Sequence, residues 1–161
     1  MHPTPDRRSF VRAIGAVTIT GAVAGCSGGE SSDDSPAAGT DSAVPEAVST
    51  YLSDTENFDG TLTDETDTDA VTVEVGVDGN GGAFAFAPAA VKISTGTTVT
   101  WEWTGEGSQH NVVAEEGASF ESEQTSEAGF TFEQTFEDAG VVTYYCLPHE
   151  GLGMKGALVV E

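Results

Sequence analysis

Hydrophobic and polar residues alternate in several stretches of the second half of the chain. The alternating hydrophobic positions fall into three sets: Val71, Val73, Val75 and Val77; Val99, Trp101 and Trp103; and Phe130, Phe132 and Phe136. A period of two predicts strands with one buried face. Further strand candidates, separated by glycine-rich turns such as residues 79–82, are residues 84–86, 90–93, 110–114, 141–146 and 157–160. Seven or eight short strands within residues 71–161 are typical of an all-β fold, an antiparallel sandwich.

The strand predicted before Cys146 has a defined register. If Cys146 points into the sandwich, Val142 and Tyr144 share its face, because successive side chains of a strand alternate. Thr143 and Tyr145 are then expected to point outward. Tyr144 is therefore predicted to be buried.

A short helix is predicted ahead of the strands. Pro45 suits the first turn of a helix, and Val48, Tyr51 and Leu52 fall on one side of it. We expect this apolar side to lie against the sandwich, so that residues 45–70 form a short helix and a lead-in segment packed on the domain.

Residues 26–44 differ in composition from both regions. They are rich in Ser, Gly, Asp, Thr and Ala, and they have little apolar surface to bury. Such a segment cannot offset the entropy lost when a chain is ordered. The composition therefore predicts a disordered acidic tether.

The first 25 residues have the features of an export signal. Arg7 and Arg8 form a twin-arginine pair, and the uncharged stretch at residues 13–24 is too short to span a bilayer. Cys26 follows a Val-Ala-Gly sequence that resembles a lipobox. Residues 1–25 are thus predicted to be a twin-arginine-type lipoprotein signal peptide. Lipid attachment at Cys26 would place the exported domain on the outer face of the cell membrane as a peripheral protein; an uncleaved anchor is the alternative.

Acidic residues greatly outnumber basic ones. The chain has 27 Asp and Glu residues against five Lys and Arg residues, a formal net charge of −22. From Cys26 onward only Lys92 and Lys155 are cationic. This charge would repel a phosphate backbone, which excludes nucleic acid as a partner. Because the Debye length falls to about 3 Å at molar salt, the composition favours adaptation to a very salty medium; an acidic docking face for a basic partner is the alternative.

Four side chains have the chemistry of metal ligands. Cys146, His149 and Met154 follow one another at the spacing Cys-x2-His-x4-Met, and His110 lies upstream. A soft thiolate, a thioether and two imidazoles suit a single copper ion that alternates between Cu(I) and Cu(II), and they are the ligand set of a blue electron-transfer centre. Since one loop cannot surround a metal, His110 is expected to come from a neighbouring strand end.

Each of these residues has a structural explanation when taken alone. A single Cys or Met is more often a buried hydrophobe, and a single His is more often a surface or core residue. The shared spacing, with a strand before the loop and glycines within it, favours a metal site instead. A disulfide between Cys26 and Cys146 is disfavoured because Cys26 adjoins the tether. Zinc is disfavoured because closed zinc sites are built from Cys and His without Met.

These motifs resemble the cupredoxin family, in particular plastocyanin-like proteins and the halocyanins of salt-loving archaea. The resemblance is carried by residues 101–107 leading into residues 110–113, and by residues 144–149 with Met154. It extends more loosely to residues 51–52, 57–60 and 64–66. The resemblance implies a Greek-key cupredoxin β-sandwich at residues 71–161, a plastocyanin-like blue copper domain. The ligands it implies for one copper ion are His110, Cys146, His149 and, in the axial position, Met154. It also implies transfer of single electrons between membrane-bound redox complexes of a respiratory chain.

Two residues have further predicted roles. Asn111 matches an Asn of the plastocyanin-like pattern that ties the two ligand loops together, so a supporting role behind the ligands is expected. His149 is predicted to be the point of electron entry and exit, with its ring edge in an apolar patch. The residues expected to help form that patch are Leu147, Pro148, Leu152 and Gly107. At high salt, docking is expected to rely on this patch more than on ion pairs.

Other functions compete with electron transfer. A copper enzyme would need a second, catalytic copper bound by several histidines, but after signal cleavage only His110 and His149 remain. No enzyme activity is therefore expected. A copper delivery or storage protein is the remaining alternative. No feature of the sequence requires an oligomer, so a monomer is expected.

Overall fold

The computed structural model describes residues 43–161. The predicted signal peptide at residues 1–25, the predicted lipid-attachment residue Cys26 and nearly all of the predicted tether lie outside these residues. Within residues 43–161, no helix is both long enough and apolar enough to cross a bilayer.

Residues 43–161 form a short α-helix, nine β-strands and a 3-10 helix. The α-helix, α1, is Glu46–Tyr51, and the 3-10 helix is Leu147–Leu152. The strands are β1 Thr63–Asp64, β2 Ala70–Gly79, β3 Gly82–Ala87, β4 Ala90–Ile93, β5 Thr97–Trp103, β6 Val113–Glu116, β7 Thr131–Phe136, β8 Gly140–Tyr145 and β9 Lys155–Val160. Strand β1 has only two residues, and the eight longer strands agree with the number predicted from the alternation.

The strands form two sheets. One has the order β1-β4-β9-β8-β6, and the other has the order β3-β2-β5-β7. The pairs β1–β4, β4–β9 and β2–β5 are parallel, and the other pairs are antiparallel. The prediction that the sandwich is antiparallel is therefore wrong for these three pairs. Side-chain alternation depends only on the pleat of a strand, so it carries no information about the direction of the neighbouring strand.

The main hydrophobic core lies between the two sheets. The alternating residues that face this core are almost completely buried: Val71, Val73, Val75, Val99, Trp101, Trp103 and Phe136. Val142 and Tyr144 of β8 are buried as well, as predicted. Large aromatic side chains bury much of the apolar surface in such a core. The core therefore holds the strand ends, where the candidate ligands lie, at fixed relative positions.

Strand β2 is interrupted close to the candidate ligands. Its alternation holds through Val75, but Gly76 has φ +85°, and the register with β3 shifts between Val75 and Val77. This irregularity is a β-bulge, which changes the face that the following side chains occupy. Val77 therefore leaves the buried set in which the sequence places it, and it is only half-buried. Glycine is required at the bulge because φ is positive and a Cβ on Gly76 would lie 2.8 Å from the Glu106 carbonyl oxygen and 3.0 Å from the Nε2 atom of His110.

The strand predicted at residues 110–114 begins later than expected. The structure has β6 at Val113–Glu116, and His110 instead forms an isolated bridge with Thr125. The Val112 N–H donates to the Ser122 hydroxyl at 2.9 Å rather than to a strand. The backbone of residues 110–112 is therefore held by the segment at residues 122–125, a long-range pairing that an apolar run cannot reveal.

The predicted short helix is present and packs on the outer face of the five-stranded sheet. Val48 of α1 and the following Leu52 are buried, and they form a second apolar cluster with Ala157. Thr143, predicted to point outward, is only 3% exposed. Its side chain does lie on the outer side of the sheet, as predicted, but it is buried there because α1 covers this side of β8, where Val141, on the same face as Thr143, packs against the second cluster.

Candidate metal centre

Three of the predicted ligands lie in or beside the turn that follows β8. Cys146 precedes the 3-10 helix Leu147–Leu152, His149 lies within it, and Met154 follows it. Gly153 ends the helix with φ +93°, a left-handed conformation that favours glycine. The loop thus returns to its starting point, where the Cys146 N–H donates to the Met154 carbonyl at 3.0 Å.

The fourth residue, His110, is held on a neighbouring loop. Its backbone exchanges two hydrogen bonds with the backbone of Thr125, at 2.9 and 3.0 Å. The Trp103 indole N–H donates to the His110 carbonyl at 3.1 Å. The sequence identifies Trp103 only as a core residue, whereas the structure shows that it also holds the backbone of a candidate ligand.

Three donor atoms converge at this end of the sandwich. The Cys146 Sγ atom lies 3.6 Å from Nδ1 of His110 and 3.4 Å from Nδ1 of His149, and the two Nδ1 atoms are 3.2 Å apart. A circle through these three points has a radius of about 2.0 Å. Imidazole and thiolate ligands bind a first-row metal ion such as zinc at roughly 2.0–2.3 Å. One ion can therefore be bound by all three side chains at once.

The hydrogen bonds of His110 leave its inner nitrogen available to a metal. Its Nε2 atom lies 2.8 Å from the Glu106 carbonyl oxygen, which can only accept a hydrogen bond. Nε2 must then carry the proton, so Nδ1 of the neutral ring keeps a free lone pair. Burial lowers the pKa of His110 and of His149, which favours the neutral rings that metal binding requires.

Met154 lies beside the three converging residues. It is completely buried and belongs to the same hydrophobic cluster as Cys146. Its N–H donates to the His149 carbonyl at 3.3 Å. A thioether is a weak ligand, which suits the axial position of a blue copper site. The structure therefore brings all four predicted residues to one end of the sandwich.

The chemistry of these donors fits copper. Burial raises the pKa of the Cys146 thiol to about 11, although the backbone N–H groups of Asn111 and His149 lower it in part. A bound cation reverses this effect, because a thiol that coordinates a metal is deprotonated. Two soft sulfur donors with two neutral imidazoles suit both oxidation states of copper.

Asn111 joins the two segments that carry the ligands. Its side-chain oxygen accepts a hydrogen bond from the Leu147 N–H at 2.9 Å. Because Asn111 adjoins His110 and Leu147 adjoins Cys146, this bond holds the two ligands at a short separation. Asn111 is only 2% exposed, so water competes little for the bond.

Phe84 of β3 also contacts the site, although the sequence identifies it only as a strand residue. Its ring centroid lies 4.5 Å from that of His149 and 6.4 Å from that of His110. Phe84 therefore covers both imidazoles from one side. In the sequence, an aromatic strand residue next to the site cannot be distinguished from any other aromatic strand residue. No sequence signal could therefore have assigned Phe84 to the site.

His149 is the candidate ligand nearest to solvent. It is 9% exposed, whereas the other three are completely buried. Leu147 and Leu152 beside it are 54% and 51% exposed. Within residues 43–161, these two leucines are the exposed large hydrophobic residues. They lie next to the candidate metal centre.

Comparison with known proteins identifies the class of this protein. The sequence profile of the copper binding proteins of the plastocyanin/azurin family matches residues 71–161, more than half of the chain. The matched residues include all four candidate ligands. The chain therefore belongs to this family, whose members are cupredoxins.

Within the family, the chain is halocyanin-like. It is 46% identical to the halocyanin of Natronomonas pharaonis over 161 residues, which cover 97% of this chain and 98% of that protein. It is 38% identical to plastocyanin A/B of Petroselinum crispum over 64 residues, which cover 34% of this chain and 66% of that protein. The solved structure of oxidised plastocyanin from Dryopteris crassirhizoma is 30% identical, with a TM-score of 0.47, and the match covers 56% of this chain and 100% of that chain.

The family and the site together define a copper electron-transfer protein. The predicted all-β cupredoxin sandwich is confirmed, and so is the predicted cofactor, one copper ion that alternates between Cu(I) and Cu(II). Two roles remain predictions: Asn111 as a residue that supports the ligands, and His149 as the point of electron entry and exit.

Binding of Cu(II) at pH 7 is expected to release about one proton. In the metal-free protein the Cys146 thiol stays protonated up to about pH 11, whereas the two imidazoles, whose pKa values are lowered, are already neutral. Only the thiol therefore loses a proton on binding, and affinity should rise about tenfold per pH unit until the thiol ionises. Calorimetry in two buffers of different ionisation enthalpy measures the number released. A value near zero would contradict a buried, neutral thiol.

Proposed function

We propose that this protein is an exported, membrane-anchored blue copper carrier that shuttles single electrons between membrane-bound redox complexes of a respiratory chain. The asymmetry of burial around the site is the observation that best supports this function. His149 alone reaches the surface, at 9% exposure, and the other ligands are completely buried. Such a site can exchange electrons through one ring edge, but it leaves no opening through which a substrate could reach the metal.

The contribution of the protein is to hold the donor atoms in place. Thr125 and Trp103 fix the backbone of His110, and Asn111 ties that segment to the Cys146 loop. Copper, when bound, supplies a one-electron couple between Cu(I) and Cu(II). Because the ligands are held by hydrogen bonds that do not depend on the metal, they need to move little when the oxidation state changes.

His149 is proposed as the electron port. Its Nδ1 atom faces Cys146 and His110, so the opposite edge of the ring is the part nearest to solvent. Leu147 and Leu152 give the surrounding surface an uncharged character. A partner that covers this surface would be separated from the metal by a single imidazole ring.

Docking to this apolar surface is proposed to depend little on charge. The chain carries a net charge of −22, but at high ionic strength the attraction between exposed charges is screened within a few ångströms. Burial of apolar surface is not weakened in this way. The apolar patch around His149 is therefore the feature that still favours association in a salty medium.

The copper site itself is tested by colour and by electron counting. Cys146→Ser is expected to abolish the intense blue thiolate-to-copper absorption, and Met154→Gln is expected to keep copper but lower the reduction potential. An anaerobic titration of the wild-type protein should take up about one electron per copper, reversibly and with the copper retained. A copper delivery or storage protein would instead give up Cu(I) to a chelator after reduction. That result would rule out the electron-carrier function, and a blue Cys146→Ser variant would rule out Cys146 as a ligand.

The docking surface is tested by changing its two leucines. The double substitution Leu147→Ser with Leu152→Ser is expected to lower the second-order rate of electron transfer to a redox partner about tenfold, because the apolar area buried in the encounter is smaller. The reduction potential should not change. Ala47→Ser, at an exposed apolar position of α1, serves as the control. The wild-type rate should be nearly flat above roughly 1 M salt; a steep fall would show that ion pairs dominate docking.

Membrane attachment through Cys26 is tested on protein isolated from its native membrane. Mass spectrometry should find a mature N-terminus at Cys26 that carries a lipid, with residues 1–25 removed. Cys26→Ser should move the copper protein into the soluble fraction without changing its colour. An N-terminus that retains residues 1–25 would instead show an uncleaved anchor.

A further inference from the structure

The carbonyl group of Gly153 precedes the ligand Met154 by one peptide bond, and it is held from outside the ligand loop. The Thr55 hydroxyl donates to the Gly153 oxygen at 3.0 Å, and the Asn80 side-chain amide donates to it at 3.1 Å, beside a local bond from the Lys155 N–H at 2.9 Å. A peptide group is planar, so fixing this oxygen also fixes the nitrogen of Met154. The point from which the Met154 side chain starts is therefore set in part by two other segments of the chain.

The oxygen and the nitrogen of the Asn80 amide are both hydrogen-bonded. Its oxygen accepts from the Glu56 N–H at 2.9 Å, and its nitrogen donates to the carbonyl groups of Phe84 at 2.7 Å and of Gly153 at 3.1 Å. A side-chain amide has one acceptor oxygen and two N–H donors, so each kind of group is satisfied. Asn80 thereby links the segment after α1, strand β3 and the ligand loop.

A turn requirement alone does not account for these bonds. Asn80 has φ +58° in the turn between β2 and β3, and asparagine tolerates this left-handed conformation better than most residues. Glycine would satisfy the turn equally well, but it could make none of the three side-chain bonds. The role in the turn and the role at the ligand loop can therefore be separated by substitution with glycine.

The segment after α1 contacts the residues on both sides of Met154. Before Met154, a Cβ atom on Gly153 would collide with the Asp54 carbonyl, so the two segments are in direct contact. After Met154, the Lys155 ammonium lies 2.9 Å from the Asp54 carboxylate. Thr55 directly follows Asp54 and is only 4% exposed. Its hydroxyl is thus a shielded donor aimed at the ligand loop.

Asn80 also acts on the surroundings of a second ligand. The Phe84 carbonyl that it holds belongs to the residue whose ring lies 4.5 Å from the His149 ring. One amide therefore supports the backbone before Met154 and the aromatic cover of His149. These are the axial ligand and the proposed electron port.

We propose that Asn80 and Thr55 are positioning residues for Met154, and that they set the strength of the axial contact and thereby the reduction potential. The axial ligand tunes the potential of a blue copper site. Without these two bonds, the Met154 thioether would be held less firmly toward a bound copper ion and would stabilise Cu(II) less, so the reduction potential would rise. This inference rests on the proposed function as a copper carrier.

The test compares Asn80→Gly and Thr55→Val with the wild-type protein. Both variants are expected to raise the reduction potential and to change the intensity ratio of the visible thiolate-to-copper bands, and Asn80→Gly should weaken copper binding about tenfold. In the metal-free protein, the Met154 amide should exchange with solvent faster.

Thr55→Ser keeps the hydroxyl and should restore wild-type values. Ile93→Ala, a core truncation on β4 beside the far end of β9, controls for loss of stability alone.

The outcomes separate this inference from the proposed function. A wild-type protein that does not turn blue with copper would contradict the proposed function itself. A blue wild-type protein whose Asn80 and Thr55 variants keep its potential and spectrum, and lose only stability as Ile93→Ala does, would overturn the positioning role. If Asn80→Gly does not fold, Thr55→Val and its Thr55→Ser control decide the question.

Discussion

The structure depends on bringing donor atoms from two distant segments to one point. His110 and Cys146 are 36 residues apart in sequence, yet their donor atoms lie 3.6 Å apart. Without a metal, two imidazole lone pairs and a neutral thiol gain little from this proximity, so the protein must impose it. The bond between Asn111 and Leu147 does so most directly, because each partner adjoins one of the two ligands.

Burial around this point determines what the site can do. Desolvation keeps the imidazoles neutral and the thiol protonated in the metal-free protein. The site can therefore accept a cation, whereas the presence of any other charged group there is unfavourable. Burial also closes every approach to the metal except the edge of His149. The site is closed except at one ring edge, and its ligands bind copper in both oxidation states. Such a site is suited to transferring electrons and poorly suited to binding substrates.

Much of the fold and of the site could be predicted from local patterns. The alternation at Val73 and Trp101 reports burial on one face, and the spacing from Cys146 to Met154 reports a loop that returns to its start. Local patterns do not reveal what distant segments contribute. Thr143 is buried because α1 covers its face of β8, and residues 110–112 pair with residues 122–125 instead of extending β6.

The sequence by itself determined which side chains can bind copper and which strand faces are apolar, because ligand chemistry and pleat periodicity are properties of neighbouring residues. Only the tertiary structure decided that Trp103 holds His110, that Phe84 covers His149, and that Asn80 reaches the peptide before Met154. These contacts join residues far apart in the chain. Their partners are chosen by the packing of two sheets and a helix, which no local pattern encodes.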